Sequence, residues 1–332
     1  MIKVLELFAG IGACSKALEN LGIEHEIVDA VEIDKYAIQA FNAIHGTNFE
    51  PQDICEWNKD IECDLIMHGS PCQDFSIAGK QAGGDEGSGT RSSLLYETLR
   101  IVEKLRPKCV IWENVKNLLS KKHVHNWNAY AERMEELGYK NYYQVLNAKN
   151  YGVPQNRERV FTVSILGDGD FKFPDPIPLK KHLKDVLEDD VDEKYYLSDE
   201  QVEKLVKSNY DQNKRFYNPE GISPTISTMG GGQRQPKIVA SRGRGANNEQ
   251  HLEPRNDGLA NTLTSVQKDN YVATPYRIRK LTPRECYRLM GFDDESFDRA
   301  SAVLSNTQLY KTAGNSIVVN VLEAVLRELL CK

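Results

Sequence analysis

Val4-Leu5-Glu6-Leu7-Phe8, followed at once by Ala9-Gly10-Ile11-Gly12, leaves this chain few ways to begin. A strand-like apolar run meets a tight glycine turn. Ala13 to Leu21 then shows helical spacing through Ala13, Ala17, Leu18 and Leu21, and stops at Gly22. Strand, glycine turn and helix are the opening of a nucleotide-binding βαβ unit, which points to an α/β fold. His25 to Val31 gives a second strand, and Glu32 follows it 22 residues after Gly10, about where such folds place an acid on ribose hydroxyls. The third glycine that would pack against a pyrophosphate is missing. The unit therefore leans towards S-adenosylmethionine, which has an adenosine but no pyrophosphate.

A second stretch fixes where chemistry would sit. Asp64-Leu65-Ile66-Met67-His68 reads as a short buried strand running into Gly69-Ser70-Pro71-Cys72-Gln73-Asp74-Phe75-Ser76. Gly69 and Pro71 force a turn that presents Cys72 at the strand's carboxyl end, where catalytic groups of open α/β sheets gather. Ala78 to Gly89 follows as a glycine-rich loop. A thiol fixed beside such a loop points to a covalent nucleophile under a lid. A lone cysteine is more often a small buried hydrophobe. Against that stand its place in a turn, its polar neighbours and the matching parts downstream. Lys108 to Trp112 is a buried strand that delivers Glu113-Asn114-Val115 to the same sheet edge, although an acid there is as often a plain helix starter. Tyr142 to Leu146 and Arg159 to Ile165 make two more strands, and Tyr151 to Arg159 between them brings guanidinium groups to that edge. Helices are expected over Lys35 to His45, Ser92 to Leu105 and Trp127 to Leu137, with Asp53-Ile54 in a loop placed to meet an adenine.

The remaining composition narrows the class. No run approaches the roughly 18 apolar residues that span a membrane, and Met1 to Glu6 enters a strand without a signal peptide. The seven cysteines are scattered with no C-x-x-C pair, so neither a disulfide framework nor a zinc site is supported and a reducing, intracellular setting is expected. No metal is expected; His123 and His125 read as part of a solvated loop. Regular α/β alternation ends at the proline-broken stretch Phe171 to Pro178. Lys180 to Lys207 looks like charged helices, and a polar, β-leaning region follows. Within it Gly221-Ile222-Ser223-Pro224-Thr225-Ile226-Ser227-Thr228 is echoed by Gly258-Leu259-Ala260-Asn261-Thr262-Leu263-Thr264-Ser265, and each copy runs into a polar turn, one holding Arg234, the other Gln267 and Lys268. Between Asp211 and Arg288 there are 13 Lys and Arg against 7 Asp and Glu, a local +6 in a chain of net −6. That asymmetry marks a basic binding face on an acidic body. Thr282 as N-cap and Pro283 open a helix, and an apolar helix, Ile317 to Leu330, is expected to return to the first lobe.

Cys72, Glu113 and Arg159 on successive strand ends resemble the C5-cytosine DNA methyltransferases. Phe8-Ala9-Gly10-Ile11-Gly12 looks like that family's cofactor loop, Pro71-Cys72-Gln73 its nucleophile motif and Glu113-Asn114-Val115 its acidic motif. Gln155-Asn156-Arg157-Glu158-Arg159 is similar to its arginine motif. Arg279-Lys280-Leu281-Thr282-Pro283-Arg284-Glu285 and Gly314-Asn315-Ser316 resemble its two C-terminal motifs. The six occur in family order over nearly the whole chain. The resemblance implies a Rossmann-like methyltransferase sheet over 1–182 plus 311–332, and a smaller, β-rich target-recognition unit over 183–310, hinge included. It implies methyl transfer from S-adenosylmethionine to C5 of a cytosine flipped out of a short duplex DNA sequence. Cys72 would add to C6, Glu113 would serve the N3 edge, and Arg159, supported by Arg157, would hold the base carbonyl oxygen. Phe8, Gly10, Gly12, Glu32, Asp53, Ile54, Leu94, Asn315 and Ser316 would line the cofactor site. Gln73 and Ser76 would sit near the gap left by the flipped base, Thr225 would contact a phosphate beside it, and Arg234, Gln267 and Lys268 would reach bases or phosphates. Double-stranded DNA is the implied partner, with a cognate restriction endonuclease in the same host as a companion the family allows. A monomer in the cytoplasm of a bacterium or phage-infected cell is expected. An RNA cytosine-5 methyltransferase and a non-catalytic DNA-binding regulator are the alternatives; a nicotinamide oxidoreductase would leave Cys72 unexplained.

Overall fold

The computed structural model describes residues 1–71, 75, 84–85, 87–207, 216–228, 236–241 and 276–331. Cys72, Gln73, Ser76, Arg234, Gln267, Lys268 and the second copy at 258–265 lie outside the described residues.

Six strands form the main sheet: β1 (Ile2–Leu7), β2 (His25–Val31), β3 (Leu65–His68), β4 (Cys109–Val115), β5 (Tyr139–Asn147) and β6 (Glu158–Leu166), in the order β2-β1-β3-β4-β6-β5. β2, β1, β3 and β4 run parallel, so their carboxyl ends share one edge. β6 is antiparallel to β4 and therefore brings its amino end to that same edge, pairing Arg159 with Val115. Side-chain alternation covers both faces, as a parallel sheet requires. Val4, Leu65, Met67 and Ile111 pack to one side beneath α1 (Ala13–Asn20) and the last helix. Leu5, Leu7, Ile66, Val110 and Trp112 pack to the other, beneath α3 (Leu95–Leu105) and α4 (Val124–Glu136). Between α1 and α3 in the chain, α2 (Lys35–His45) begins on Asp34, whose carboxylate accepts from the N–H of Tyr36, and ends on a left-handed Gly46.

Beyond the sheet the expected charged helices of 180–207 are mostly absent. This stretch is extended chain with two short 3-10 turns, Leu183–Val186 and Glu193–Tyr195, and one eight-residue helix, α5 (Asp199–Val206). Its backbone bonds go to distant segments instead of along a helix: Leu183 N–H to Gly221 O, Lys184 N–H to Pro219 O and Leu197 N–H to Ile278 O. A small sheet joins β7 (Phe216–Tyr217), β8 (Lys237–Ser241) and β9 (Tyr276–Lys280). α6 (Pro283–Leu289) starts with the reciprocal Thr282 and Glu285 cap. α7 (Asp294–Ser301) packs on α2, and α8 (Asn306–Asn315) leads to α9 (Val319–Leu330), which lies on α1. Gly314 and Asn315 thus close α8, and α9 lies where the apolar helix from Ile317 to Leu330 was expected. Among the described residues, no helix is long and apolar enough to cross a membrane.

Two sequence readings change here. His123 is buried and sits edge-on to Phe75, and His125 lies within α4, so neither belongs to a solvated loop. The local positive charge is also largely internal in the described part. Arg279 makes a buried pair with Glu285, while Arg277 binds Glu193, Arg284 binds Asp298 and Arg288 binds Asp294. These four cations brace the fold.

Candidate active site

β3 ends at His68, and the turn after it is tied down before Cys72 is reached. Trp112 Nε1–H donates to Ser70 Oγ at 3.0 Å, and Asn114 Nδ2 donates to Ser70 O at 3.1 Å. Ser92 Oγ donates to Pro71 O at 2.9 Å. Both residues that precede Cys72 are therefore held by neighbours on β4 and at the start of α3.

Glu113 faces this turn. A Cβ on Gly69 would stand 3.7 Å from Glu113 Oε2, an ordinary contact distance, so the turn lies directly against the carboxylate. Glu113 lies within β4 and not after it, which excludes the helix-starter reading. Its partner is Arg159, with Nε 3.0 Å from Oε1 and both side chains largely buried. Burial pushes the Glu113 carboxyl above the ordinary carboxylate range, against the opposing pull of Arg159 and Arg157. A small cleft lies over the pair, closed by Phe161, Ile317 and Val318 among others, with room for little more than a water molecule.

Arg157 behaves differently from Arg159. It is buried, and its guanidinium donates to backbone carbonyls: Nη1 to Ile226 O at 2.8 Å, Nη2 to Ser316 O at 2.8 Å and to Gly314 O at 3.4 Å. It therefore clamps the strand edge, the 221–228 segment and the α8–α9 junction together. Gln155 does similar work, accepting from Ile226 N–H and donating to Leu289 O. Neither its clamping nor that of Arg157 has a signal in the sequence, because the carbonyls they hold belong to any residue. Thr225 is exposed beside this loop, its Oγ1 donating to Asn156 O at 2.8 Å.

At the other end of the edge, Phe8 takes a left-handed φ of 52°, as do Gly10 at 57° and Gly12 at 78°. Glu32 receives two backbone N–H groups, from Gly10 on Oε2 at 3.0 Å and from Asp34 on Oε1 at 2.8 Å. Burial raises its pKa and those two bonds oppose the rise. Gln52 N–H bonds Glu32 O at 2.9 Å, which brings the Asp53 turn alongside; Asp53 accepts from Cys55 N–H, and Ile54 is buried. Leu94 is half-buried at the start of α3, Asn315 is exposed, and Ser316 is buried with its carbonyl on Arg157. Two residues here escaped the sequence reading. Ile33, next to Glu32, is 68% exposed, and an apolar side chain left bare at a strand end was the available signal. Glu6 is buried within β1 and accepts from both the N–H and the hydroxyl of Ser15, anchoring the first turn of α1; an acid inside an apolar strand announces it.

The comparisons with known proteins agree with one another. A family model described as C-5 cytosine-specific DNA methylase matches residues 2–331. The orphan methyltransferase M.SPBetaI of Bacillus phage SPbeta is 34% identical over 431 aligned residues, covering 99% of this chain and 97% of its own. The type II methyltransferase M.HhaI of Haemophilus parahaemolyticus is 34% identical over 334 residues, covering 98% and 93%. Among solved structures, Spodoptera frugiperda DNMT2 superposes with a TM-score of 0.73 at 20% identity over 99% of both chains, and Schizosaccharomyces pombe Dnmt2 with 0.69 at 19% over 99% and 98%. These last two share the fold.

Proposed function

Because this chain belongs to the C-5 cytosine-specific DNA methylase family, we propose that it methylates C5 of a cytosine flipped out of a short duplex DNA sequence, through a bond between Cys72 and C6 of the base. It is a DNA cytosine-5 methyltransferase. The observation that supports the mechanism best is the buried Glu113–Arg159 pair beside the anchored turn that leads into Cys72.

A cytosine inside the duplex hides the face of C6, so the base has to leave the stack. Cys72, as thiolate, adds to C6. C6 accepts the sulfur only if charge can leave the ring through N3, and the raised pKa of Glu113 suits it to keep a proton for that atom. Arg159, fixed against Glu113, holds the base carbonyl oxygen and the charge of the adduct. Arg157 acts through the carbonyls it clamps, as a positioning residue. S-adenosylmethionine, when bound, supplies an electrophilic methyl group on sulfur. The residues at that end of the edge fit its adenosyl part: Gly10 faces open space, with nothing within 4 Å of where a Cβ would stand, Glu32 offers a carboxylate and Ile33 a bare apolar surface. Phe8, Gly12, Asp53, Ile54, Leu94, Asn315 and Ser316 complete the proposed site. Addition of the thiolate would make C5 the nucleophile that takes the donor's methyl as its bond to sulfur breaks; loss of the C5 proton to water then expels the Cys72 thiolate and restores the base. On the DNA side we assign Gln73 and Ser76, in the stretch after Cys72, and Thr225, Arg234, Gln267 and Lys268, within a recognition unit over 183–310.

The test is transfer of labelled methyl from S-adenosylmethionine to unmethylated plasmid DNA, wild type beside Cys72→Ser, with bisulfite sequencing. Protected cytosines in one short motif, lost in the variant while cofactor binding persists, are the expected result. A tRNA methylated in preference to duplex DNA would overturn the substrate.

A further inference from the structure

The two glycines of the Phe8 to Gly12 turn answer to different neighbours. Gly10 opens onto empty space, whereas a Cβ on Gly12 would stand 2.1 Å from His45 Nε2 and 2.8 Å from a ring carbon of Phe41. Gly12 is thus a glycine because a histidine stands behind it. His45 closes α2, its side chain entirely buried against Phe41, with ring centroids 4.7 Å apart. Its Nε2 lies 3.1 Å from Ile11 O, inside the turn, and its Nδ1 lies 3.1 Å from Glu19 Oε1 on α1. The Ile11 carbonyl can only accept, so Nε2–H is the donor to it, while Nδ1 faces the Glu19 carboxylate.

We infer that His45 is a positioning residue for this turn, fixing the Ile11 carbonyl from behind so that the turn keeps Gly10 open towards the methyl donor. This rests on reading Phe8 to Gly12 as the donor's turn. The sequence hides the relation, since His45 lies 34 residues from Ile11 and reads only as the last polar residue of an amphipathic helix.

His45→Phe keeps a ring against Phe41 and removes both ring nitrogens; His45→Gln keeps a donor for Ile11 O. Two quantities are read: affinity for S-adenosylhomocysteine by calorimetry, and amide hydrogen exchange at residues 9–12 of the ligand-free protein. The Phe variant is expected to bind about tenfold more weakly and to exchange faster at 9–12, with α9 unchanged and the Gln variant recovering most of both. A Phe variant that equals wild type in both readouts overturns the inference, because the ring is then only packing. Faster exchange at 9–12 in a protein whose wild type binds no S-adenosylhomocysteine supports the hold of His45 and overturns instead the assignment of the turn to the donor. Should the Phe variant fail to fold, His45→Met set against His45→Gln gives the same contrast.

Discussion

Acidifying this protein should expose a weakness placed next to the turn that leads into Cys72. His68 ends β3, is fully buried, and neither ring nitrogen has a hydrogen-bond partner among the described residues. It stacks flat on Trp112, with centroids 5.7 Å apart and planes 7° from parallel. Burial lowers its pKa from 6.5 to about 3. The folded value lies below the unfolded one, so the unfolded chain takes up the proton first and stability falls as pH drops below 6.5, levelling off only near 3. At pH 5 the unfolded chain is protonated and the folded protein is not, which removes about 2 kcal/mol of stability relative to pH 8. His68→Phe keeps the stack and cannot titrate. Urea unfolding of both proteins at pH 8, 6 and 5 isolates the effect, because every other group titrates alike in the two. The advantage of the variant should grow by about 2 kcal/mol from pH 8 to pH 5, most of it below pH 6.5. Parallel stability curves would refute the reasoning, and would mean that His68 finds a partner or solvent in the folded state.

Three further outcomes follow from the packing. Gly314→Ala would place a Cβ 2.1 Å from Ser227 O, a backbone atom, so the recognition segment must shift; a loss of about 1–3 kcal/mol in chemical unfolding is expected, and unchanged stability would deny the close approach. Arg279→Met strands the buried Glu285 carboxylate and should cost about 3–5 kcal/mol, measured in the same way, although Thr282 N–H and Glu188 N–H still reach that carboxylate. Glu113→Gln removes the proton proposed for N3 and should slow methyl transfer by a factor of about 10²–10⁴ with cofactor affinity near wild type, as single-turnover kinetics and calorimetry would show.

What could be read in the chain was whatever its local pattern determines. Helix Lys35–His45 lies at its expected bounds because an aspartate cap, an apolar stripe and a glycine stop all act within a few residues. The sheet edge shared by Glu113 and Arg159 was likewise visible, since each acid or guanidinium follows or precedes an apolar run. The strap at 180–207 was misread as helices because its charges and leucines suit a helix, while the partners that hold it extended, Gly221 and Ile278, are far along the chain. Arg157 was read beside Arg159 from the resemblance of Gln155-Asn156-Arg157-Glu158-Arg159 to the arginine motif. The carbonyls of Ile226 and Ser316 that occupy it are 69 and 159 residues away, and a backbone oxygen leaves no trace in a sequence.

The placement of α9 on α1 has a consequence for how the molecule comes into being. Asn20 and Glu323, joined by a side-chain hydrogen bond, are 303 residues apart, and Val319, Leu322, Val325 and Leu326 bury their side chains in the same core as Ala17 and Leu18. A ribosome that has made the entire sheet has therefore made a sheet with one face only partly covered, by α1. Until the last helix emerges, the nascent chain carries an apolar surface that invites chaperones or aggregation, and contacts of such long range make closure slow. Fragments that stop before Val319 should come out of cells as inclusion bodies.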